Sequence, residues 1–102
     1  MRIRVEDSSD RGRYEAFADD ERAGYLAYRR EGGMLALDHT DVRERFEGEG
    51  VGSSLVARAL DDAREQDLAV IPFCPFANDY IKRHAEYADL VPESEREKFG
   101  LS

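Results

Sequence analysis

Ile3 and Val5 alternate with Arg2, Arg4 and Glu6, and this period of two predicts a short strand that ends where the polar run from Asp7 to Gly12 begins. Tyr14 to Phe17 predicts a second strand, closed by the Asp19-Asp20 turn. Residues Arg22 to Arg30, aromatic and extended in character, predict a third, and Glu31-Gly32-Gly33 turns the chain after it. Met34 to Thr40 predicts a fourth, in which strict alternation puts Leu35, Leu37 and His39 on one face and Ala36, Asp38 and Thr40 on the other.

The period changes at residue 50. Val51, Leu55, Val56, Ala59, Leu60 and Ala63 recur at helical spacing, with Arg58, Asp61, Asp62, Arg64 and Glu65 on the opposite side. The apolar run Leu68 to Phe73 predicts a buried strand, which lies parallel to strand four because a helix connects the two. Asn78 or Asp79 is expected to cap a second helix carrying Tyr80, Ile81 and His84, and Glu93 to Phe99 to form a last helical turn. The predicted class is α+β: an antiparallel β-meander running into one β-α-β unit with a short C-terminal helix, in a single domain spanning 1–102. Ligands in such sheets sit at the carboxyl ends of the strands.

Composition narrows the choice of partners. A chain of 102 residues with 41% hydrophobic content supports one core. No run reaches the roughly 18 apolar residues of a membrane helix and no leader-like segment opens the chain, so a cytoplasmic protein with no membrane partner is expected. The net charge of −8 argues against nucleic acid and suits an amine-bearing partner. The lone Cys74 rules out an internal disulfide, and two separated histidines, His39 and His84, give no metal centre.

The segment Gly48-Glu49-Gly50-Val51-Gly52-Ser53 leads straight into the amphipathic helix. Glycine permits positive φ and close approach of a ligand, while the free amides of a first helical turn favour an anion such as phosphate. Glycines that serve only to make the corner are the competing reading. A Walker loop is excluded because no Gly-Lys-Ser/Thr follows, and a dinucleotide fold would place its turn after the first strand of a longer α/β chain.

Residues 47–60, EGEGVGSSLVARAL, resemble the coenzyme A-binding motif of the GNAT superfamily of N-acetyltransferases, with Glu47 where Gln or Arg is usual and Gly50 and Gly52 as the motif glycines. His39 to Val42, Ile71 to Phe76 and Tyr80 to Tyr87 are similar to segments of the small YjdJ-type branch of that superfamily, in the same order. The resemblance implies a truncated GNAT-like fold lacking the helices that usually follow the first strand, with acetyl-CoA as cosubstrate. It implies transfer of an acetyl group to a primary amine, on a small molecule or on a protein Lys or N-terminus, by direct attack on the thioester. It also implies that backbone amides of Asp41 and Val42 polarise that thioester, and that Glu47, Gly48, Glu49, Gly50, Val51, Gly52 and Ser53 form the pyrophosphate turn. Pro75, Asn78, Tyr80 and Arg83 are the further coenzyme contacts expected. Glu47 and Glu49 put two carboxylates beside a diphosphate, with Arg43, Arg45, Lys82 or Arg83 available to offset them.

Amine acetylation needs an uncharged amine, donors for a developing oxyanion and a proton for the departing thiolate. Cys74, at the end of strand five, is the candidate proton donor or nucleophile, against a buried thiol of no chemical role. His39 is the candidate base, since an imidazole titrates near pH ~6.5, against a histidine satisfied by a neighbour. Tyr80 reads equally as core, Asn78 as a helix cap, and Arg83 as part of a basic helix face. A non-catalytic acyl-CoA-binding domain or sensor is the alternative function, and a monomer or weak homodimer is the expected assembly.

Overall fold

The computed structural model describes residues 1–101. Five strands form one sheet in chain order: β1 (Ile3–Ser8), β2 (Arg13–Ala18), β3 (Glu21–Glu31), β4 (Met34–Val42) and β5 (Ala69–Pro72). The first four pair antiparallel, and β5 pairs parallel to β4 through the crossover helix α1 (Val51–Glu65). A single 3₁₀ turn, Ser9–Arg11, joins β1 to β2, so no helix stands between them. The first four strands follow their expected segments and run a residue or two further, whereas β5 is a residue shorter at each end than the expected Leu68 to Phe73.

One sheet face carries the core. Leu26 and Leu37 of the sheet are fully covered by Leu55 and Leu60 of α1, with Val70 of β5 and Ile81 beside them. Removing each such side chain from water stabilises the fold by about 1.5–3 kcal/mol before the entropy of ordering is counted. Tyr14 spans the α1 contact, since its hydroxyl donates to Asp62 at 2.8 Å while Arg58 holds the same carboxylate. Burial together with that carboxylate pushes the Tyr14 phenol well above its ordinary pKa.

Two features correct the expected pattern. In the β3–β4 ladder, Ala27 pairs with His39 but Tyr28 pairs with Leu37, so Asp38 is an extra residue and β4 bulges there. The alternation reverses beyond it: Thr40 joins the face of Leu35 and Leu37, and His39 turns to the opposite, exposed face. The second correction concerns α2, which spans Pro75–Arg83 and starts three residues before the expected cap. Pro75 occupies its first turn, where the missing N–H costs nothing, and Asn78 already lies inside the helix, its N–H bonded to the Cys74 carbonyl at 3.0 Å. A short helix α3 (Glu93–Arg96) follows, and the chain between α2 and α3 is tied to α1 by the two-pronged pair of Arg64 with Asp89.

Gly24 sets the spacing of β3 and β4. A Cβ at this position would run into the Asp41 carbonyl oxygen and lie 3.2 Å from Val42 Cα, so only glycine allows the two strands their observed approach.

Candidate active site

β4 and β5 part company at the middle of the sheet. Their pairing ends with Leu37 opposite Pro72, and the last link between the two segments is the Cys74 N–H donating to the Leu37 carbonyl at 2.8 Å. β4 nevertheless continues to Val42 with β3 as its only neighbour. The Arg43 N–H bonds to Ala23 of the β3 segment at 2.8 Å, and the two-residue alternation of an antiparallel ladder then directs the Asp41 backbone to β3 as well. The backbone groups of Thr40 and Val42 point the other way, into the space β5 has vacated.

The other wall of that space is the start of α1. Gly48 and Gly50 adopt φ of 80° and 85°, which a side chain would disfavour, and Gly50 is the N-cap of the helix with no side-chain cap. The first backbone bond of the helix is from Ser54 N–H to the Gly50 carbonyl, at 3.0 Å. The amides of Val51, Gly52 and Ser53 therefore have no partner within the helix and present an anion-binding end. A cavity of about 580 Å³ joins these amides to the β4 edge, lined by Thr40, Asp41, Val42, Phe46, Glu47, Gly48, Gly50, Val51, Gly52, Ser53, Phe76 and Arg83. The absence of a side chain on Gly52 makes room for the Phe76 ring, whose Cζ would be 2.7 Å from a Cβ there. Free amides, one arginine and an apolar wall of Phe46 and Phe76 fit a diphosphate attached to a slender neutral arm. Arg45, by contrast, is turned away and pairs with Glu21 at 2.9 Å.

Several expected residues meet at this cavity: Asp41, Val42, Glu47, Gly48, Gly50, Val51, Gly52, Ser53 and Arg83 all line it. Glu49, Pro75, Asn78 and Tyr80 do not. Glu49 is exposed and Pro75 opens α2. Asn78 donates from Nδ2 to the Phe99 carbonyl at 3.0 Å. Tyr80 is buried and stacks on His84 with ring centroids 3.9 Å apart.

The two candidate chemical groups lie on opposite faces of β4. Cys74 is 3% exposed, and its Sγ is 3.1 Å from Oγ1 of Thr40, a residue of the cavity wall. His39 is exposed on the other face, beside the Tyr25 ring at 6.0 Å between centroids. Thr40 is the residue that sequence reasoning passed over, because uninterrupted alternation assigned it to the wrong face. Among the described residues, no group of three or more His, Cys, Asp or Glu is placed to hold a metal ion, and no helix is long and apolar enough to cross a membrane.

A second groove, of about 490 Å³, lies on the sheet face away from α1, between Met34, Ala36, Ile71 and Phe73 and the segment from Pro92 to Glu95. Its one arginine, Arg29, is held by Asp38 at 2.7 Å.

A sequence model of GCN5-related N-acetyl-transferases matches residues 13–90. No curated protein matches the chain. Among solved structures, a GCN5-like protein from Staphylococcus aureus superposes with a TM-score of 0.68 at 23% identity over 87% of each chain. The ribosomal-protein-alanine N-acetyltransferase of Brucella melitensis biovar Abortus 2308 is similar at a TM-score of 0.52 and 23% identity, covering 76% of this chain and 62% of its own. Ard1 from Thermoplasma volcanium gives 0.54 and 24%, covering 60% and 43%. The chain thus spans less than half of the Thermoplasma protein. At these identities the likeness is one of fold.

Proposed function

We propose that this chain, which belongs to the GCN5-related N-acetyltransferases, moves an acetyl group from acetyl-CoA to a primary amine by direct attack on the thioester, as a single domain over residues 1–102. The observation that carries this reading is the pairing of unpartnered amides on Val51, Gly52 and Ser53 with the unpaired edge of β4 across one cavity.

The roles follow from position. The Val51, Gly52 and Ser53 amides and the Arg83 guanidinium bind a diphosphate, with Gly50 keeping the approach open. Phe46 and Phe76 exclude water from the arm between the diphosphate and β4. Acetyl-CoA, when bound, supplies a thioester carbonyl as the electrophile. The backbone N–H groups of Thr40 and Val42, directed into the gap and already fixed by β3, are the donors for an oxygen that gains negative charge. The Thr40 hydroxyl and the Cys74 thiol share a hydrogen bond at the cavity wall, and the thiol proton passes to a departing thiolate, leaving a Cys74 thiolate that accepts from Thr40. His39, on the outer face, accepts the proton of an incoming ammonium.

Release of free coenzyme A, followed with a thiol reagent across a panel of primary amines, tests this. The proposal expects acetyl-CoA to raise the melting temperature and at least one amine to accelerate thiol release. A rise in melting temperature with no amine-dependent release would make the chain an acyl-CoA-binding domain or sensor, and no rise at all would remove the coenzyme from the account.

A further inference from the structure

The face of the sheet away from α1 carries an imbalance of charge that folding alone does not explain. Cross-strand pairing aligns Glu6, Glu15, Tyr25 and Asp41 in one row across β1 to β4, and Ser8, Arg13, Ala27 and His39 in the next. Glu15 is buried, and one of its oxygens faces three guanidinium groups: Arg13 at 3.1 Å, Arg22 at 3.3 Å and Arg11 at 4.0 Å. Its other oxygen accepts from Ser8 at 2.8 Å. The Ser8 hydroxyl, and after it the arginines, keep this carboxyl below the ordinary range, so it is charged at neutral pH. Three cations against one carboxylate leave two positive charges, and the neighbouring Arg4–Glu6 pair, at 2.8 Å, does not alter that sum. Donors exceed acceptors as well: Nε of Arg13 is buried without a hydrogen-bond partner, and Nε of Arg22 has only the Glu15 oxygen at 3.3 Å, outside hydrogen-bonding geometry. This surplus sits in a chain whose net charge is −8.

The cluster adjoins the reaction gap. Arg13 and Arg22 both stand over the Tyr25 ring, at 5.1 and 5.7 Å from its centroid, and Tyr25 borders His39 on the next strand. Asp41, paired opposite Tyr25, makes no ion pair among the described residues and also lines the cavity at the β4 edge. Arg13 on β2 is two strand spacings, or roughly 10 Å, from Asp41 and His39 on β4, with Arg22 on the intervening β3.

We propose that Arg13 and Arg22 form an anion subsite for the acceptor, so that the amine acetylated is one that also carries a carboxylate or phosphate about two strand spacings away. The inference rests on the transferase reading above. Asp41 and His39 receive the ammonium end, Tyr25 supports the chain between, and the arginines hold the anion through charge-assisted hydrogen bonds. The acidic surface as a whole attracts the amine, while this one patch orients it.

The test compares two probes matched in length and amine, 6-aminohexanoate and 1,6-diaminohexane, titrated into the protein by NMR and then offered as acceptors with acetyl-CoA. The expected result is binding of 6-aminohexanoate about tenfold or more tighter than the diamine, with shifts at the Arg13 and Arg22 side chains and Tyr25. Arg22→Gln should abolish the preference and Arg22→Lys should keep part of it, with melting temperature reporting that each variant is folded. Equal affinity for the two probes, or no binding of either, overturns the proposal. Tight binding of 6-aminohexanoate without coenzyme A release keeps the subsite and sinks the transferase reading, whereas release from both amines at equal kcat/KM with equal affinities does the reverse.

Discussion

Gly24→Ala tests how β3 holds the reactive edge of β4. The added methyl would overlap the Asp41 carbonyl oxygen and press on Val42 Cα at 3.2 Å, and both obstacles are backbone, which cannot rotate away as a side chain does. Overpacking of this kind costs about 1–3 kcal/mol. Replacing glycine by alanine restricts the unfolded chain and returns about 0.4–1 kcal/mol. The net is a loss of about 1–2 kcal/mol, and for a domain of this size each kcal/mol moves Tm by about 4–8 °C, so Tm should fall by about 5–15 °C. Because the strand that must move is the one presenting the Val42 N–H, coenzyme affinity should fall in the folded fraction too. Thermal unfolding by circular dichroism, with and without acetyl-CoA, reads both effects. A variant as stable as the parent, or more so, would refute the reasoning, since it would mean the entropic gain outweighs a contact argued to be unyielding.

Thr40→Val keeps the shape of the side chain and removes the hydroxyl that Cys74 contacts, so the rate of acetyl transfer should fall about tenfold or more with little change in Tm; a fall in Tm alone would make the pair structural. Arg83→Gln should weaken acetyl-CoA binding about three- to tenfold and flatten its dependence on salt, as measured by calorimetry at two ionic strengths. The folded-state pKa of Glu15 is lowered mainly by Ser8, and that of Asp89 mainly by Arg64. Their stabilisation is complete above the ordinary carboxyl value of about 4.3 and is lost as pH falls through the lower folded values, so Tm should decline in acid and Glu15→Gln should flatten that decline. Tyr87, which donates to Asp61, has its pKa pushed up to about 12, so its contribution is complete below the ordinary phenol value of about 10 and disappears as pH rises through about 12. Tyr87→Phe should remove that alkaline loss from a pH series of melting curves.

The meander and α1 were legible because burial on one face imposes a period on the sequence, close to two along the strands and to 3.6 along the helix. The glycine turn was legible for a different reason: Gly48 and Gly50 sit at positive φ, where composition records a backbone requirement directly. The bulge at Asp38 left no such mark, since a polar residue there satisfies plain alternation equally well, and so Thr40 and His39 were assigned to each other's faces. Pro75 was equally ambiguous, because the residue that ends a strand is also the one favoured in the first turn of a helix. The cluster around Glu15 could not be read at all. Arg11, Arg13 and Arg22 meet only because two successive hairpins fold their strands side by side.

A ¹H–¹⁵N NMR titration with acetyl-CoA tests the central claim most directly, because it reports which amides meet the ligand. The largest shifts should fall on the N–H groups of Val51, Gly52 and Ser53, with a second group at Thr40 and Val42 on the facing strand. No shifts at millimolar ligand, or shifts confined to the groove of Met34, Ile71 and Phe73, would contradict the account.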